Sequence, residues 1–204
     1  MLNRSKKYFE KADLDLQGKY LFVGQANSFF ADAPGVNTHF EAIKNFETIL
    51  ETRKGSGLKW RYQYYDDNNH GSVAFIAEYD ALRFLFEGYY ASFSKIRNVG
   101  ELKTQYQNFS KETKVNFLPP EKVVREVANI PLFFNKNDLV QEYYQLNIDN
   151  YPKSPTAFEN MGQLWLKKGD KKRALEYYEK SLKLNPLNKD VEKQIIDLKK
   201  ETGK

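Results

Sequence analysis

His70 is one of only two histidines in 204 residues, and it stands in the polar segment Tyr65-Asp66-Asp67-Asn68-Asn69-His70-Gly71-Ser72, whose composition marks a turn. An imidazole carries protons well near neutral pH, so a histidine in such a turn is a candidate general base. A base of this kind needs a nucleophile to activate and a group to orient it. The chain has no cysteine, which excludes thiolate nucleophiles, thiolate metal sites and disulfides together. Ser72 is close in sequence but reads as a turn or helix-capping residue. Ser56, in Gly55-Ser56-Gly57, precedes the strand whose far end carries His70, and at ~3.3 Å per residue the two loops are about 25 Å apart on opposite edges. The second histidine, His39, falls in the first turn of a helix with no histidine or carboxylate at ligand spacing beside it, so it reads as a surface residue and no metal site is expected. No phosphate-cradling glycine loop or dinucleotide fingerprint is present, and no cofactor is expected.

The elements that must position His70 follow from hydrophobic spacing. The first ten or so residues read as the end of a helix. Tyr20 to Val23 form a continuous apolar run after Gly18, the pattern of a strand buried on both faces of a parallel sheet. Thr38 and Glu41 then stand in capping-box relation ahead of Phe40, Ile43, Phe46 and Leu50, which share a helix face. Trp60, Tyr62 and Tyr64 alternate with polar residues in a second strand that ends just before the histidine turn. Tyr79, Leu82, Leu85, Phe86 and Tyr89 recur at helical spacing after it. Strands alternating with helices give an α/β sheet with crossover connections, and His70 falls at the carboxyl end of a parallel strand, where ligands and catalytic groups collect. Two parallel strands make a poor sheet, so the apolar first strand leaves an edge that something must cover.

Beyond the paired prolines at 119 and 120 the pattern becomes repetitive. Phe158, Met161, Gly162, Trp165, Gly169, Ala174, Tyr178 and Pro186, within residues 155–188, have the spacing of a tetratricopeptide repeat. Gly162 and Ala174 are small where two antiparallel helices approach, and Pro186 stops the second. Counting back one repeat places a degenerate copy at 121–154, with Val124, Val127, Ala128, Tyr144 and Pro152 in equivalent positions and Pro131 interrupting its first helix. Residues 188–202, with Val191, Ile195, Ile196 and Leu198, read as a capping helix.

The stretch "GKYLFVGQAN", the aromatic-rich helix after it, "YYDDNNHGSV" and "EYDALRFLF" together resemble the C-terminal third of the esterase family of α/β hydrolases that includes the enterochelin-esterase-like enzymes. His70, Gly71, Ser72 and Val73 match that family's H-G-S-V segment, with Ala74 where a proline is common. Some bacterial members are similar in carrying tetratricopeptide repeats after the hydrolase domain. The resemblance implies that His70 takes a proton from a serine hydroxyl and returns one to the leaving group, with a carboxylate after the preceding strand to orient it. Asp32 is the only acid in that loop, eight residues beyond Gly24, with Asn27 closer; a serine and histidine dyad without an acid is the alternative. Asp66 and Asp67 read as solvated turn residues. The nucleophile elbow G-x-S-x-G does not occur in residues 1–204. The expectation is therefore that the nucleophile, the oxyanion hole and the remaining strands lie upstream of Met1.

The expected fold class is mixed α/β and helix-rich: the C-terminal fragment of an α/β-hydrolase sheet, two parallel strands with flanking helices, followed by an all-α repeat region. Residues 1–98 are assigned to the hydrolase part, 99–118 to a helical linker and 119–204 to the repeats. Hydrophobic residues at 41% exclude a disordered chain. The net charge of +5 is spread, about +2 over 1–118 and +3 over the rest, and mixed with acids throughout, so no nucleic-acid face is expected. No stretch approaches the ~20 apolar residues of a membrane span. A signal peptide would also lie upstream, so cytoplasmic, periplasmic and secreted locations all remain open. The expected function is a carboxylic-ester hydrolase portion, inactive alone, acting on a small ester only when joined to its N-terminal part. The alternative is a noncatalytic module that binds a protein partner through the repeats or the exposed strand edge.

Overall fold

The computed structural model describes residues 15–27, 38–52, 56–90 and 95–203. The expected helix end in the first ten residues falls outside them. Two compact units are distinguished, residues 1–90 with 108–116, and residues 91–107 with 117–204. The chain is helix-rich with a two-stranded parallel sheet, the mixed α/β and helical-repeat class expected.

In the first unit, β1 (Tyr20–Ala26) and β2 (Lys59–Tyr65) run parallel, with Tyr20 opposite Lys59 and Ala26 opposite Tyr65. Helix α1 (Thr38–Glu51) connects them and α2 (Val73–Leu85) follows. The period of two sorts the side chains onto two faces. On one, the Tyr64 ring meets Phe40 of α1 edge-on at 5.8 Å, and the Tyr62 hydroxyl donates to the buried Gln25. On the other, Phe84 of α2 lies against Tyr20 at 5.8 Å and Phe22 at 6.2 Å. Helices thus touch both faces of the sheet, but β1 is only half-buried from Tyr20 to Val23, and β2 leaves Lys59, Arg61 and Gln63 exposed on the α2 side. Near the end of α3 (Val99–Thr113), Glu112 pairs with Lys59 and accepts from the Tyr20 hydroxyl.

Close packing of α2 on β1 depends on Gly24, where an added Cβ would stand 2.7 Å from the Ala77 Cβ. Gly24→Val is expected to force the helix off the strand and to destabilise this unit by about 1–3 kcal/mol; an unchanged urea midpoint would contradict this contact. The helix differs from its sequence reading in orientation. Ala77 and Phe84 face the sheet, whereas Tyr79, Leu82, Leu85 and Phe86 are exposed.

The second unit stacks helical pairs: α4 (Glu121–Phe133) with α5 (Asn137–Asn150), α6 (Pro155–Lys167) with α7 (Lys171–Leu184), then α8 (Lys189–Thr202). Local signals set the starts. Ser154 accepts from the Ala157 amide with Pro155 in the first turn, Asp170 accepts from Arg173, and Asn188 from Val191. Pro131 does not interrupt its helix: α4 continues through it to Phe133. The proline withholds its amide from the carbonyl four residues back and crowds it, but less than one turn of helix follows, and the chain beyond is closed by the Phe134 and Lys136 amides, which donate to the Ile130 and Pro131 carbonyls. The α8 core comprises Val191, Ile195 and Leu198, while Ile196 is exposed.

Burial pushes Tyr143 and Tyr178 up to about 12 from the ordinary 10, aided by Glu101 and Glu142 near the first and Glu159 near the second. The folded unit therefore keeps protons that the unfolded chain releases. Stability from these groups is complete below pH 10 and falls as pH rises from 10 toward 12. Urea midpoints at pH 9, 10 and 11 should decrease only across the upper interval.

Candidate functional site

The carboxyl edge of the sheet is built from the ends of β1 and β2, which the parallel register brings side by side at Ala26 and Tyr65. Asn27, the residue after β1, fixes the loop after β2. Its amide donates to the carbonyls of Tyr65 at 3.0 Å and Asn68 at 2.8 Å, and its Nδ2 donates to the Asp66 carbonyl at 2.9 Å. The Tyr65 hydroxyl donates to Asp80 at 2.9 Å, tying the end of β2 to α2; burial, together with that bond and charge, pushes this phenol up to about 12.

His70 stands in the turn that leads into α2 and is exposed, with no hydrogen bond to any described residue. Its neighbours hold the turn instead. The Asn69 Oδ1 accepts from the amides of Gly71 at 2.8 Å and Ser72 at 3.1 Å, while the Asn69 amide donates to the Ser72 Oγ at 3.2 Å. This is a reciprocal cap, with Asn69 in the capping role and Ser72 answering it three residues on. The Ser72 hydroxyl also donates to Asn68 Oδ1 at 3.1 Å. Ser72 is therefore engaged in shaping the turn, as its sequence position suggested, although Asn69 does the capping. The N-x-x-S spacing carried that signal. Asn69→Ala should cost about 0.5–2 kcal/mol, seen as faster amide exchange over residues 70–74, whereas exchange unchanged there would remove the cap from this account.

Ser56 lies before β2, at the opposite edge, where its carbonyl accepts from the Leu16 amide at 2.8 Å. The structure thus separates it from His70 by the full length of a seven-residue strand. Asp32 lies outside the described residues. Asp66 and Asp67 are exposed. Among the described residues there is no cluster of three or more histidine, cysteine or acidic side chains that would hold a metal ion, and no helix is long and apolar enough to cross a membrane.

Comparison with solved structures decides what this arrangement resembles. The chain is similar to an IroE-like serine hydrolase from Shewanella oneidensis, at 22% identity and a TM-score of 0.57, over 71% of this chain and 44% of that one. The fold is shared with a serine hydrolase. A second similar structure is an uncharacterised protein from Capnocytophaga ochracea, at 13% identity and a TM-score of 0.56, over 98% of this chain and 58% of that one. The chain spans less than two thirds of the length of either of these neighbours. Residues 155–188 match the tetratricopeptide-repeat family model. No curated protein matches the chain.

Within the matched repeat the marked residues pack as the spacing requires. Met161, Ala174 and Tyr178 are buried, and an added Cβ at Gly162 would stand 2.9 Å from the Tyr178 ring. Trp165 carries Arg173 over its ring at 4.3 Å and Lys168 at 4.8 Å. A groove of about 540 Å³ opens along α6 and α8, lined by Glu159, Gln163, Lys167, Asp190 and Gln194 among others.

Proposed function

We propose that this chain is the C-terminal portion of a serine carboxylic-ester hydrolase, in which His70 is the general base. The observation that carries the reading is the placement of an exposed histidine on an anchored turn at the carboxyl edge of a parallel sheet, in a fold shared with a serine hydrolase. The nucleophile is assigned to polypeptide outside residues 1–204, because no G-x-S-x-G occurs within them. In the reaction, the imidazole accepts the serine proton as Oγ bonds to the ester carbonyl carbon. It then delivers that proton to the departing alkoxide as the C–O bond breaks, and water reverses the sequence to release the acid. Asp32 is proposed as the acid that orients His70, on the family resemblance alone. Residues 1–98 form the hydrolase part, 99–118 the connecting helix and 119–204 the repeats in this scheme.

A protein that joins this chain to a segment bearing the nucleophile elbow is expected to react covalently with a fluorophosphonate, and residues 1–204 alone are not. A longer protein that carries G-x-S-x-G and fails to label would sink the proposal. The match at 155–188 favours a second reading, a noncatalytic module whose repeats bind a protein partner. Loss of a co-purifying protein on deletion of residues 119–204, with no labelling in any longer form, would favour that reading instead.

A further inference from the structure

We infer that the outward face of α2 is a self-association surface, on which a second copy of this chain seats its own α2 in parallel. The inference stands apart from the hydrolase reading, since it uses neither His70 nor any polypeptide outside residues 1–204. α2 has two apolar faces. Ala77 and Phe84 lie against the sheet. Phe75, Tyr79 and Leu82 stand about half a turn round the helix from them and are 80%, 61% and 53% exposed. Phe86, whose amide still donates to the Leu82 carbonyl at 3.0 Å, continues that stripe. Steps of four, three and four residues are the rhythm by which one helix lies along another. A helix that served only to cover a sheet would be polar on this side.

The charges beside the seam select the occupant. Asp80 is engaged by Tyr65, and Glu87, just past the helix, by Arg61. Glu78 and Arg83 are both exposed and form no ion pair among the described residues; Arg83 lies over the Tyr79 ring at 5.7 Å. They border opposite sides of the seam, five residues apart. With Phe75 and Leu82 as d positions and Tyr79 and Phe86 as a positions, Glu78 is a g residue and Arg83 the e residue that follows it. Two such helices in parallel set each Glu78 against the Arg83 of the other copy, twice by symmetry. In an antiparallel pair g faces g and e faces e, so Glu78 would meet Leu85 and Arg83 would meet Ile76. α2 is therefore complementary to itself in one direction.

The size of the stripe sets the strength. Three aromatic rings and a leucine, each more than a third exposed, offer roughly 400–500 Å² per copy. A patch of that extent is at the level that marks an interaction site. Two copies together bury about 1,000 Å², the small end of specific interfaces, so the dimer forms in the micromolar range and depends on concentration. The His70 turn leads directly into α2, so parallel pairing puts the two histidine turns at the same end of the dimer.

The test is sedimentation velocity of the 204-residue chain from roughly 5 to 300 µM, with a reversible dimer of Kd roughly 10–100 µM expected. Leu82→Glu should weaken it about tenfold or more by burying a charge in the seam, and should leave the circular dichroism unchanged because Leu82 is exposed in the single chain. Glu78→Arg and Arg83→Glu should each weaken the dimer about threefold or more, and the two changes in one chain should restore it. Because the chain has no cysteine, Phe75→Cys reports direction. In the parallel pair the two introduced thiols are within disulfide reach and crosslink on oxidation with copper phenanthroline, whereas in the antiparallel pair they stand about 16 Å apart. A monomer at every concentration would overturn the inference and leave the seam to a different protein's helix. A dimer indifferent to Leu82→Glu, a charge swap that fails to restore association, or thiols that do not crosslink would overturn it equally.

Discussion

Tyr178→Ala is expected to lower the stability of the repeat unit by about 3–5 kcal/mol, the cost of deleting a large buried aromatic side chain. Tyr178 is 2% exposed on α7, and its ring fills the space that Gly162 leaves open on α6. The cavity cannot collapse easily, because the helices are already at closest approach and Met161 and Ala174 beside it are also buried. Against a total of roughly 5–15 kcal/mol for a domain, such a loss leaves the unit marginal or unfolded at 37 °C. The complementary change, Gly162→Val, adds volume at the same contact and is expected to cost about 1–3 kcal/mol. Urea unfolding followed by far-ultraviolet circular dichroism measures both. A Tyr178→Ala loss below about 1 kcal/mol would show that the seam tolerates a hole and that its packing is not what defines the pair.

In the hydrolase proposed above, His70→Ala is expected to reduce kcat/KM by roughly 10²–10⁴-fold, the usual contribution of a positioned general base. The fall should lie in kcat, since proton transfer is made only in the transition state. Stability should be unchanged, because the imidazole is exposed and bonds to no described residue. The contrast with Asn69→Ala is informative: that variant loosens the turn and costs stability while keeping the base. Equal kcat values for wild type and His70→Ala, with folding intact, would demote His70 to a turn residue.

Much of this was legible from residue spacing. The apolar run Tyr20 to Val23 specified a strand of a parallel sheet, although in this two-stranded sheet those residues are half-buried rather than enclosed, and the repeat signature located the Gly162 and Tyr178 contact to the residue. The helix after His70 was legible in extent but not in orientation. It is apolar nearly all round, so periodicity alone did not distinguish Ala77 and Phe84, which face the sheet, from Tyr79 and Phe86, which do not. Pro131 misled because a proline's effect depends on its distance from the helix end, which spacing does not fix to the turn. The division of labour between Asn69 and Ser72 depended on hydrogen-bond direction, and Asp32 lies outside the described residues.

Asn27 joins the ends of both strands through bonds to Tyr65, Asp66 and Asn68. Those bonds share one donor residue, so they are lost together rather than one at a time. The histidine turn is therefore not free to drift in small steps: it opens as a unit when Asn27 lets go, and its rate of excursion is governed by a residue that never touches the imidazole. A substitution at Asn27 therefore changes the mobility of that turn without altering the turn's own sequence.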